Sequence, residues 1–156
     1  MKRLISLLAA VTAVVMFALP GFAQSTSYTW DIDCSKVPQV GVGTGVNWYW
    51  LHNGVQIFPT DPADFASCAT FPPSLSGSGV IPESINGIEV NGIGATLGIS
   101  GAGLCEAFAT VTKSFDPSSP KISIDETVSM PATVNNFGVK EHCSNANASF
   151  KFNLGS

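Results

Sequence analysis

Residues 46–58, VNWYWLHNGVQIF, place Trp48, Tyr49 and Trp50 in a row just ahead of Asn53-Gly54. Asn-Gly is the strongest two-residue hairpin signal, because both residues accept the positive φ that a type I′ turn demands. A turn centred there pairs His52 with Val55, Leu51 with Gln56, Trp50 with Ile57, Tyr49 with Phe58 and Trp48 with Pro59. Side chains alternate across a strand. One face of the hairpin therefore carries Val46, Trp48, Trp50, Val55 and Ile57, and the other carries Asn47, Tyr49, Leu51, Gln56 and Phe58. The first set is the expected core. The second mixes aromatic surface with amide groups and is the expected ligand-binding face, with Tyr49 and Phe58 as a platform edged by Asn47 and Gln56.

Strand-like alternation continues away from this segment. In NASFKFNL, Ala148, Phe150, Phe152 and Leu154 fall on one side and Asn147, Ser149, Lys151 and Asn153 on the other. SYTWDIDC offers Tyr28, Trp30 and Ile32 to a core, and PKISIDETV offers Ile122 and Ile124. GATLGISGAGLCEAFATVTKSF reads as two strands joined at Ser100–Gly103, and a further strand is expected over 134–139. SLSGSGV and GISGAGL are Gly-rich without the spacing of a phosphate-binding loop, and both read as turns. Helix signals are confined to TDPADFASC, where Asp61 as N-cap and Pro62 at the first helical position predict one short helical turn near 61–68. With no helical crossover between strands, the expected fold is all-β, an antiparallel two-sheet sandwich.

The segment VNWYWLHNGVQI also resembles the C strand, turn and following strand of immunoglobulin-like domains, in which a buried Trp precedes an Asn-Gly turn. Cys34 stands fourteen positions before Trp48, compatible with that family's first cysteine. The tyrosine that precedes its second cysteine by two residues has no counterpart, Gly103 and Glu141 standing at that offset from Cys105 and Cys143. The resemblance implies an Ig-like Greek-key sandwich with Trp48 or Trp50 in its core.

At the N-terminus, Lys2 and Arg3 lead into an apolar run from Leu4 to Leu19, then Pro20-Gly21 and a small residue at Ala23. This order is that of a signal peptide spanning 1–23. Residues 24–156 then form a single domain, secreted or periplasmic, with no later segment apolar enough to span a membrane. The first 23 residues hold two of the seven basic residues and none of the eleven acidic ones, leaving a net charge of −6. Such a chain is a poor partner for nucleic acid, which is bound through basic surface. An exported chain with Cys34, Cys68, Cys105 and Cys143 is expected to form two disulfides; of the three connectivities four cysteines allow, Cys34–Cys68 with Cys105–Cys143 is favoured, each tying neighbouring segments.

Catalytic and metal signatures are sparse. His52 flanks a turn, and His142 and Glu141 are adjacent, so on a strand their side chains would point apart. Asp61, Asp64, Asp125 and Glu126 lack calcium-loop spacing, there is no CxxC, and no cofactor motif occurs. The sequence thus predicts no catalytic residue, metal or cofactor. It predicts an exported recognition or adhesion module binding a glycan or an extracellular protein through its aromatic hairpin face. The alternative is a structural subunit of a surface layer or fibre, self-associating through exposed strand edges.

Overall fold

The computed structural model describes residues 26–37, 42–59, 65–69, 74–101, 105–129 and 145–155. These form strands β1 (Ser27–Lys36), β2 (Val42–His52), β3 (Val55–Gln56), β4 (Phe65–Ala69), β5 (Ser74–Val80), β6 (Ser84–Ile85), β7 (Ile88–Glu89), β8 (Gly92–Gly101), β9 (Cys105–Ser114), β10 (Ile122–Ser129) and β11 (Asn147–Leu154). A four-stranded sheet runs β10-β11-β1-β5, and a five-stranded sheet runs β3-β2-β8-β9 with β4 on the same side of β2 as β3. Every pairing is antiparallel. The expected signal peptide, the strand at 134–139 and Cys143 lie outside the described residues.

The sheets pack face to face because each offers aromatic residues at alternating positions. Trp48 of β2 meets Trp30 of β1 at 5.3 Å between ring centroids, and Phe150 and Phe152 of β11 at 6.0 and 6.3 Å. Tyr28 reaches across to Trp50 at 5.7 Å and stacks beside Phe152 at 5.0 Å. Around these rings Ile32, Val46, Ile93, Leu97, Ile99 and Ile124 are almost wholly buried. Burying a side chain of this size contributes roughly 1.5–3 kcal/mol each. Cys34 of β1 is bonded to Cys68 of β4, joining one sheet to the other across 34 residues of sequence. In the chain-entropy picture such a closure contributes roughly 4 kcal/mol.

Two expectations are corrected. The helical turn near 61–68 is not seen among the described residues, 61–64 lying outside them: Phe65–Ala69 is strand β4, held by the Val42–Asn47 half of β2 with Asn47 opposite Phe65 and Thr44 opposite Cys68. A neighbouring strand offering a full hydrogen-bond ladder outweighs a local capping pattern. SLSGSGV is likewise not a turn but strand β5, paired with β1 from Ser27–Val80 to Asp33–Ser74. Its glycines face large rings: a Cβ on Gly77 would stand 2.7 Å from the Trp30 indole, and one on Gly79 would collide with Tyr28. The glycines are the room into which β1's aromatics fold.

The ends of the chain's described part meet on the four-stranded sheet. β1 and β11 are adjacent and antiparallel, Tyr28 opposite Leu154, and the Gly155 N–H donates to the Ser27 carbonyl at 3.1 Å.

Among the described residues two polar atoms are sealed in the core without a partner there, Thr44 Oγ1 and Trp48 Nε1. An unmade buried hydrogen bond costs about 1–3 kcal/mol, and replacing the group by an apolar one of similar shape relieves it. Thr44→Val is therefore expected to raise stability by about 1 kcal/mol, read as a higher urea midpoint at unchanged slope. Trp48→Ala, which empties the centre of the ring cluster, is expected to lower it by about 3–5 kcal/mol. A midpoint lowered by Thr44→Val would mean that the hydroxyl is satisfied.

Candidate functional site

The opening hairpin forms around Asn53 and Gly54, with φ of 49° and 81°, and the register is the expected one for Leu51–Gln56 and His52–Val55. The ladder then stops. Ile57 donates to the Trp50 carbonyl at 2.9 Å, but β3 ends at Gln56 and the chain leaves the sheet, so Tyr49 and Phe58 are not cross-strand partners. Val55, expected in the core, is 69% exposed at the tip of the hairpin.

A second Asn-Gly turn, Asn86-Gly87 with φ of 51° and 77°, connects β6 to β7 and docks on the first. Asn53 N–H donates to Asn91 Oδ1 at 2.8 Å and Asn91 Nδ2 donates back to Asn53 Oδ1 at 2.9 Å. Asn86 Nδ2 donates to the Phe58 carbonyl at 3.0 Å. His52 Nδ1 lies 2.8 Å from the Glu89 carbonyl, which can only accept, so Nδ1 carries the proton and Nε2 accepts from Asn53 Nδ2 at 3.1 Å. Nδ1 thus ties the first hairpin to the second, while Nε2 is used within the first, on the Asn53 amide.

Of the residues expected at the ligand face, Asn47 is exposed, Tyr49 and Gln56 are half-buried, and Leu51 is buried. Phe58 is 68% exposed but off the strand. What surrounds Asn47 and Tyr49 is the outer face of the five-stranded sheet, and its composition is distinctive. Register places Ser67, Gly45, Gly98 and Phe108 in one row, Phe65, Asn47, Thr96 and Thr110 in the next, and Tyr49, Gly94 and Thr112 in the third. The glycines again lie beneath rings. A Cβ on Gly98 would stand 2.9 Å from the Phe108 ring, one on Gly45 would stand 3.5 Å from the Phe65 ring, and one on Gly94 would run into Tyr49. Gly45 and Gly98 are themselves paired, so Phe65 and Phe108 lean inward from the two flanking strands over a glycine pair. Both rings stay largely in water, at 59% and 62% exposed. Between them and Tyr49 runs the polar row, where Thr96 and Thr110 hydroxyls are 3.2 Å apart.

Sequence reasoning did not reach Phe65 and Phe108. Phe108 carried a signal, being the lone aromatic among Glu106, Thr110 and Thr112 on the wet side of β9. Phe65 sat in the segment that read as helix.

A second concavity, an open groove of about 750 Å³, lies at the end of the sandwich where β1 begins and β11 ends, lined among others by Ser27, Ile81, Glu83, Glu89, Phe115 and Lys121. Its two carboxylates are exposed. Asp116, in the β9–β10 loop, is held below the ordinary carboxylate range by the Ser118 hydroxyl and N–H. Asp33 on β1 is held below it chiefly by the Ser35 N–H. Both are local turn contacts away from the aromatic face. Among the described residues no group of three His, Cys, Asp or Glu side chains is placed to hold a metal, and no helix is long and apolar enough to cross a membrane. Comparison with family models, curated proteins and solved structures finds no match to the chain.

The glycine floor has a direct test. Gly94→Ala forces Tyr49 off the sheet and is expected to destabilise by about 1–3 kcal/mol. Gly45→Ala puts its methyl in ordinary contact with Phe65 and is expected to stay within about 0.5 kcal/mol of the parent. Equal urea midpoints for the two variants would show that Tyr49 does not depend on the space over Gly94.

Proposed function

We propose that the protein is an exported recognition or adhesion module that engages a glycan or extracellular protein through the outer face of its five-stranded sheet. The observation that carries this reading is the exposure of Phe65 and Phe108 over the paired glycines Gly45 and Gly98. Large rings kept in water on a sheet face forgo the stabilisation that burial would bring, and flat exposed apolar surface rimmed by polar groups marks interaction sites. An exported location is supported by the order of residues 1–23 and by the Cys34–Cys68 bridge, which persists in oxidising compartments. The architecture is read as Ig-like in its broad plan, two antiparallel sheets with an inter-sheet disulfide and the wholly buried Trp48. That plan carries no function by itself.

The second reading, a structural subunit, is favoured by strand β5. Its seven residues, SLSGSGV, hold no charge and no proline, and among the described strands only β1 pairs with it. Charged residues and prolines are the usual protection of a sheet edge against further pairing.

One pair of measurements separates the readings. The Phe65→Ser/Phe108→Ser double variant is expected to lose binding to cell-surface and matrix material while its melting temperature stays within about 3 °C of the parent, because surface substitutions change stability little. Concentration-dependent sizing of the parent is expected to show a monomer. Unchanged binding by a stable double variant would remove the face from consideration. Higher oligomers abolished by Ser76→Lys would establish the subunit reading instead.

A further inference from the structure

We infer that the outer face of the five-stranded sheet takes an uncharged glycan chain lying along the strands, with Phe65 and Phe108 as one contact station and Tyr49 as the next. The inference rests on the reading of this face as the binding surface and adds the ligand's chemical class and its direction.

Three observations carry it. The first is charge. Of the outward positions Phe65, Ser67, Asn47, Tyr49, Thr96, Phe108, Thr110 and Thr112 in the three rows, none is an acid, Lys or Arg, and the one carboxylate beside them is Glu106, in the row of Gly43 and Ser100. With no cation at these described positions, nothing there neutralises sulfate or uronate groups. Protein partners also draw on charge complementarity for orientation and encounter, which this face barely offers.

The second observation is periodicity. Phe108 covers Gly98 and Tyr49 covers Gly94, four residues apart on β8. At roughly 3.3 Å per residue the two stations are about 13 Å apart, more than one sugar ring can bridge. The row between them presents the Asn47 amide and the Thr96 and Thr110 hydroxyls. A sugar ring has an apolar C–H face and a rim of hydroxyls, so a chain laid along the strands meets a ring, then hydrogen-bonding groups, then a ring.

The third is shape. Gly45, Gly94 and Gly98 give the Phe65, Tyr49 and Phe108 rings room to lie over the sheet rather than stand off it. Rings laid flat at successive stations along the strands suit the interior of a polymer rather than a chain end.

The test is affinity electrophoresis of the purified secreted chain through gels containing neutral polymers (hydroxyethylcellulose, galactomannan, mixed-linkage β-glucan) or anionic ones (alginate, polygalacturonate). Retardation by at least one neutral polymer is expected. Phe108→Ala and Tyr49→Ala are each expected to weaken it by about tenfold, and Phe108→Tyr to preserve it, with melting curves confirming that each variant folds. Retardation by no neutral polymer overturns the inference. If anionic polymers alone retard the protein and Phe108→Ala abolishes this, the ligand class is wrong while the face stands as the binding surface. If the parent instead self-associates and Phe108→Ala makes it monomeric, the face contacts protein and the inference fails. Neutral-polymer binding untouched by both Ala variants places the site elsewhere and removes the reading beneath the inference as well.

Discussion

Trp48 stands where the two sheets meet, touching Trp30, Phe150 and Phe152 from the opposite layer. In a domain with no helix among its described residues, each sheet must find its apolar cover in the other, across a gap of about 10 Å. Aliphatic side chains alone fill such a gap only if they are many and long. This chain fills its middle with rings, and the rings impose the rest. Where Trp30 and Tyr28 crowd the inner surface, β5 answers with Gly77 and Gly79. Where the strands flank the cluster, Ile32, Val46 and Leu97 complete it. Core volume is conserved by exchanging bulk on one strand against its absence on the next.

Much of this was legible because alternation and turn chemistry are local. Asn53-Gly54 fixed the first hairpin pairs, and that parity sends Trp48 and Trp50 inward. The alternation of NASFKFNL gave β11 its buried face, and the nearest-neighbour argument gave Cys34–Cys68. What was not legible depends on partners distant in sequence. Gly-rich segments read as turns when taken alone, yet SLSGSGV is a strand because β1 supplies the side chains that its glycines lack. TDPADFASC carries a helix N-terminal pattern, and its second half is strand because β2 is long enough to pair with β4 beyond the reach of β3.

The candidate site divides the same way. Asn47 and Tyr49 were placed on the outer face by parity alone, and they lie there. Phe58 was assigned by extending a ladder that ends two pairs from the turn, and no local signal marks where a hairpin departs from its sheet. The rings that flank the glycine lane come from β4 and β9, one on each side of the central pair β2 and β8. They stand on adjacent rows and lean over one glycine pair because β4 and β9 flank β2 and β8, and that sheet order is a property of the whole chain.

The pairing of β1 with β11, closed by the bond from Gly155 to Ser27, has a mechanical meaning. The first residues of β1 and the last of β11 sit side by side at the same end of one sheet. Tension applied between them acts across the ladder at its last rung and opens β1 from β11 one hydrogen bond at a time, like a zip. Strands pulled lengthwise past each other must instead break many rungs together. The cross-link from Cys34 to Cys68 lies near the far end of β1, so peeling that reaches it meets a covalent stop shared with the other sheet. Strands so arranged yield early to a pull between Ser27 and Gly155 and then hold, while a load entering through the outer face of the five-stranded sheet does not use that weak line.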